Sequence, residues 1–234
     1  MRFTKTIFVA SAMAAGLSSG AFAADLIVDE PAPAVGVVDM GGNWDGPYVG
    51  VFAGAGWGLA DHTNGGGGPC GSDDEGCDLD LSGWLLGVTA GANFTVGGSF
   101  VLGVAGDIAW SNVSGTDYFG PIIGDAENTI NWEGSIRGVA GWDAGAFMPY
   151  LTAGLAFANA SHYSDFANET ADATHMGWTA GVGVAVSVAE NISLDLQYRH
   201  SWYDEQEYDV GAGPFNPVFG LQTDRITAGM NFHF

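Results

Sequence analysis

Positive charge is nearly missing from this chain. Lys and Arg together number 5 among 234 residues, against 27 Asp and Glu, a formal net charge of −22. So few cations cannot neutralise a phosphate backbone, which excludes nucleic-acid binding. Charge of either sign is scarce at 14% of residues, where soluble proteins carry about 25%. Cysteine is limited to Cys70 and Cys77, too few for a Cys-only metal site. After the first 23 residues no apolar run is long enough for a transmembrane helix. Long amphipathic helical patterns are missing as well. What is abundant is glycine, with 38 residues, and apolar side chains, at 47% with eight Trp. That apolar content excludes a disordered chain.

The first 23 residues stand apart. Arg2 and Lys5 form a basic head, Ile7 to Leu17 is mostly apolar, and Ala21-Phe22-Ala23 offers a small-x-small cleavage pattern. This predicts a secretory signal peptide over 1–23. Residues 24–42, with Pro31, Pro33 and several acids, read as an extended periplasmic leader. No peptidoglycan-binding domain is expected from this sequence. Past residue 23 the only cations are Arg137, Arg199 and Arg225 against all 27 acids, so the formal net charge there is −24.

From residue 43 onward the pattern is period-2 alternation, about ten residues at a time. Val49, Val51, Ala53, Ala55, Trp57 and Leu59 oppose glycines. Trp84, Leu86, Val88, Ala90 and Phe94 oppose Gly83, Gly87, Thr89 and Asn93. Phe100, Leu102, Val104, Ile108 and Trp110 oppose Asp107 and small residues. Ile130, Trp132, Ile136 and Trp142 oppose Asn131, Glu133, Ser135 and Arg137. Four similar segments follow, around Leu151–Phe157, Val182–Val188, Ile192–Tyr198 and Ile226–Phe234. Three connections are short, near residues 97, 144 and 190. Four are long and polar, about 61–79, 114–128, 161–173 and 203–222. Eight such strands, with short turns on one side and long loops on the other, predict an all-β fold: an eight-stranded antiparallel up-and-down transmembrane β-barrel over 43–234.

A soluble sandwich or lipocalin-like barrel would turn the apolar face inward. The glycines argue for the inverse. They crowd the polar faces, where a lumen just wide enough for its own side chains needs small residues beside a few long ones. The other face is broad, aromatic and uncharged through its middle, and seven Trp lie near strand ends as interfacial girdles do.

Several stretches resemble a known family. Trp44-Asp45-Gly46-Pro47-Tyr48-Val49-Gly50 followed by Gly54, Gly56 and Gly58 is similar to the first strand of small porin-like outer-membrane barrels of alphaproteobacteria. Gly134-Ser135-Ile136-Arg137-Gly138 resembles their fourth strand, Pro149 to Ala156 their fifth, and Tyr198-Arg199 with Arg225 to Phe234 their last two. The family is similar in turn to the transmembrane domain of outer-membrane protein A. The resemblance implies a bacterial outer-membrane location and a role described variously as porin, envelope stabiliser or surface antigen. It also implies that terminal Phe234 is read by the barrel-assembly machinery. Val139 departs from the pattern, standing where members often carry a second lumenal Arg, which argues against a basic, anion-selective pore.

The inner register holds all three cations of the mature chain and three acids. A lumenal ion-pair network of Asp107, Glu133, Arg137, Asp195, Arg199 and Arg225 is therefore expected, because buried ions need partners. Two uses are open: a plug that braces a narrow barrel, or a gate whose pairs swap to admit water and ions. Most other acids lie at the loop side, among them Asp73, Asp74, Glu75 and Asp78 around the cysteines. They attract cations, either as plain solvation or as divalent bridges to lipopolysaccharide phosphates. No EF-hand spacing is present, so no metal site is assigned and no cofactor is expected. Cys70 and Cys77, in a loop facing an oxidising compartment, are expected to form a local disulfide. His62, His162, His175 and His200 fall near the rim without triad or paired-carboxylate spacing, so no enzymatic activity is expected. The reading favours a monomeric structural surface protein of the envelope. The alternatives are a small cation-preferring channel and a loop-borne adhesin or ligand-binding protein.

Overall fold

The computed structural model describes residues 44–62, 79–118, 125–164, 169–208 and 218–234. The signal peptide, the leader and Cys70 and Cys77 lie outside the described residues. Eight strands follow one another: β1 (Gly46–His62), β2 (Leu79–Val96), β3 (Phe100–Tyr118), β4 (Asp125–Trp142), β5 (Phe147–Ser164), β6 (Glu169–Ala189), β7 (Ile192–Glu207) and β8 (Val218–His233). Each pairs antiparallel with its chain neighbours, and β8 closes on β1. Closure removes the free edges that an open sheet would expose. The short turns use glycine where the backbone is left-handed: Gly97 and Gly98 between β2 and β3 (φ 65° and 90°), and Gly145 between β4 and β5 (φ 85°).

The inverted polarity is plain. Trp84, Trp110, Trp178, Phe94, Phe100, Ile136 and Leu151 are exposed on the outer wall, while Glu133, Arg137, Arg199 and Arg225 are buried inside. Glycine keeps the wall tight. A Cβ on Gly183 would strike the Tyr150 ring, and one on Gly91 would strike the Tyr48 ring, so lumenal aromatics occupy the space those glycines leave.

Two expectations are corrected. The strands run 16 to 21 residues, not about ten, because the supposed loops 114–128 and 161–173 are largely strand. Beyond the bilayer both faces of a hairpin are free to be polar or small, so the alternation fades while the ladder continues. The second correction is Ile130, assigned to the lipid side but buried in the lumen. The register shifts between Ile130 and Trp132 on one side and between Trp110 and Val113 on the other. A bulge inserts one residue and inverts the alternation beyond it. Ile130→Ala should therefore cost about 2–5 kcal/mol, as for a buried aliphatic. Urea unfolding of the refolded barrel checks this, and a lipid-facing residue would give a far smaller change.

Candidate functional site

The lumen is filled in three layers. At the long-hairpin end an apolar cluster joins Leu79, Leu81, Val113, Ile130, Phe219 and Leu221 with small alanines and two tyrosines. At the short-turn end a second cluster joins Trp44, Val101, Val139, Met148, Tyr150 and Ala185. Between them lies a polar layer centred on Asp107.

Asp107 projects inward from β3, and its side chain is only 1% exposed. Its Oδ1 accepts from Arg137 Nη2 at 2.7 Å and from Arg199 Nη1 at 2.8 Å. Its Oδ2 accepts from Arg199 Nη2 at 2.9 Å and from Arg225 Nη2 at 2.5 Å. Three guanidinium groups thus share one carboxylate. Arg225 reaches a second one, donating from Nη1 to Glu133 Oε2 at 3.0 Å. Arg199 and Arg225 stand directly opposite each other on β7 and β8, where like charges repel. The carboxylates from β3 and β4 offset that repulsion. Ser135 fills the remaining geometry. Its hydroxyl donates to Asp107 Oδ1 at 2.5 Å and accepts from Arg137 Nε and Arg199 Nη1, both at 2.8 Å.

Five of the six expected residues meet here. Asp195 does not: among the described residues no Arg is within ion-pair distance of it. Its Oδ2 accepts instead from the Tyr150 hydroxyl at 2.7 Å. That hydroxyl accepts from Gln197 Nε2 at 2.8 Å, and Gln197 Oε1 accepts from Arg137 Nη1 at 3.2 Å. Asp195 reaches the network only through two side chains, Tyr150 and Gln197, because Arg137 is drawn to the Asp107 level. Ser135, Tyr150 and Gln197 were not singled out from the sequence. Their inward register was the available signal, since a buried guanidinium needs acceptors beyond its carboxylate.

Below the ionic layer, toward the short turns, is a cavity of about 60 Å³ lined by Asn93, Asp195, Gln197, Asn231 and His233 among others.

The rim histidines do separate things. His175 is buried, its Nε2 bonded to the Tyr208 hydroxyl at 2.7 Å and its Nδ1 to the Asp204 carbonyl at 2.9 Å. Burial pushes the Tyr208 phenol above its ordinary pKa. His162 pairs with Asn128 at 3.0 Å inside the hairpin end. His200 lies outside, bonded to Asp224 at 2.7 Å. The side chain of His62 lies outside the described residues. Phe234 is exposed beyond the end of β8, its ring edge-on to Phe232 at 5.1 Å.

An apolar outer wall around a closed ring of eight strands, with the buried ions held inside, defines a transmembrane β-barrel of the outer-membrane type. The chain belongs to the outer membrane protein beta-barrel domain family, whose family model matches residues 9–234. It is 31% identical over 233 residues to the 25 kDa outer-membrane immunogenic protein of Brucella abortus, covering 99% of this chain and 100% of that protein. It is also 31% identical over 195 residues to the 22 kDa outer membrane protein of Rhizobium leguminosarum bv. viciae, covering 83% and 81% respectively. The solved structure of Neisserial surface protein A aligns with a TM-score of 0.48 and 20% identity, over 80% of this chain and 97% of that one. The protein is an outer-membrane surface barrel of the alphaproteobacterial kind, and the names of its relatives are not those of enzymes.

Proposed function

We propose that this barrel is a closed structural element of the envelope rather than a channel or an enzyme. The observation that carries the reading is Asp107, holding three Arg in one buried layer between two apolar clusters. An open pore would need a continuous wet path. Here guanidinium groups and apolar side chains occupy the lumen, and the shared carboxylate ties β3 to β4, β7 and β8. The outer wall supplies the lipid contact, through Trp57, Trp84, Trp110, Trp142, Trp178 and Trp202.

The partners follow the same chemistry. All three cations of the mature chain are inside the barrel, so the exterior meets anionic lipopolysaccharide without fixed positive charge. Acidic loops bridged to it by divalent cations fit that situation. Terminal Phe234 serves as the recognition mark for the assembly machinery, and the barrel acts as a monomer. A strain lacking the protein should become sensitive to detergent. Wild-type protein should restore resistance, and so should a variant with shortened long hairpins. Detergent resistance unaltered by the deletion, or a restoration that needs the full-length hairpins, would instead favour a loop-borne binding role.

A further inference from the structure

The short-turn mouth is closed by a side chain that does not belong to the barrel wall. Trp44 precedes β1, yet it is only 2% exposed. It packs with Val101, Val139, Met148 and Ala185 and meets the His233 ring edge-on at 6.1 Å. Its indole Nε1 donates to the Gly145 carbonyl at 3.2 Å. Gly145 lies in the β4–β5 turn, which faces β1 from the far side of an eight-membered ring. The indole therefore crosses the mouth. The next residue fixes the segment at a second point, because the Asp45 carboxylate accepts from the Thr95 amide at the end of β2.

Behind Trp44 is the cavity of about 60 Å³, whose wall mixes apolar side chains such as Val139 and Met148 with the polar side chains of Asn93, Asp195, Asn231 and His233. Asn93, Arg225 and His233 line it, and among the described residues Asn93 Oδ1, Arg225 Nε and His233 Nδ1 have no hydrogen-bond partner. Asp195 faces the same space. Asn93 Oδ1 is an acceptor, Arg225 Nε a donor and His233 Nδ1 either one according to its tautomer, and water matches all three. An apolar cluster lies at each end of the lumen, and this cavity opens on the short-turn side of the ionic layer.

We propose that the short-turn half of the lumen is a hydrated vestibule reaching up to the Asp107 layer, and that Trp44 is its stopper. Its occupants are water and small polar solutes, entering through the short-turn mouth. The proposal rests on the closure of the lumen at the Asp107 layer. Whether the barrel conducts is a separate measurement, so the two can fail independently.

Thiol labelling tests it. In a Cys70→Ser, Cys77→Ser background, Ala105→Cys places a reporter in the vestibule wall and Ala158→Cys places one in the hairpin-end cluster. A small charged methanethiosulfonate is added to refolded protein whose folding is verified by unboiled gel migration. Adding Trp44→Ala should raise the Ala105→Cys labelling rate about tenfold or more and leave Ala158→Cys unchanged, because the opening is local. Trp44→Phe, which keeps an aromatic stopper without the indole N–H, should fall between and keeps the test available if the alanine variant folds poorly. An unchanged Ala105→Cys rate in both variants would overturn the proposal. Equal acceleration at both reporters would overturn it too, because that is general loosening.

Discussion

Replacing Asp107 with Asn should destabilise the barrel by about 3–5 kcal/mol, the cost of breaking a buried ion pair from one side. The variant keeps the side-chain volume and removes the charge. Arg137, Arg199 and Arg225 would then face a neutral amide whose NH₂ group competes with their own donors. Only Glu133 would remain as a charged partner, and it reaches Arg225 alone. Asp195→Asn provides the contrast. That carboxylate accepts from the Tyr150 hydroxyl and pairs with no Arg, so its loss should cost about 0.5–1.5 kcal/mol, the worth of one hydrogen bond. Urea unfolding in lipid compares the two. Equal effects would show that the ionic layer has no special centre.

Ile136→Arg should cost about 2–4 kcal/mol, the penalty for a cation near the midplane on the lipid side. Ile136 is 65% exposed on the outer wall. Its neighbour Arg137 is buried and bonds Asp107, Ser135 and Gln197. One step along β4 separates a position where Arg is integral from one where it is expelled. Ile136→Leu should be close to neutral. A harmless Ile136→Arg would contradict the placing of that wall in lipid.

The strands and their inverted polarity were legible because a bilayer imposes a simple rule on each one. Residues such as Val49 and Leu102 must be apolar at every second position, and glycines such as Gly183 must leave room for lumenal aromatics. The rule stops at the membrane boundary. Beyond it, Asn128 and His162 lie inside while Glu127 lies outside, so β4 and β5 lose the contrast that marks them and read as loop. Ile130 was misplaced because a bulge depends on pairing between strands, which one strand's alternation does not reveal. The inward register of Asp107, Glu133, Arg137, Arg199 and Arg225 was legible. Which carboxylate each Arg selects was not, since shear decides which side chains meet across the lumen. Trp44 stood inside a recognised motif, but its course across the mouth is set by contacts with β3 to β6 that lie far along the chain.

The most direct test of the closed barrel is single-channel recording of the refolded protein in a planar bilayer, after gel migration has confirmed folding. A silent membrane is predicted, because the Asp107 layer and the two apolar clusters fill the lumen. Discrete, cation-favouring conductance steps would contradict the account and make the arginine layer a gate.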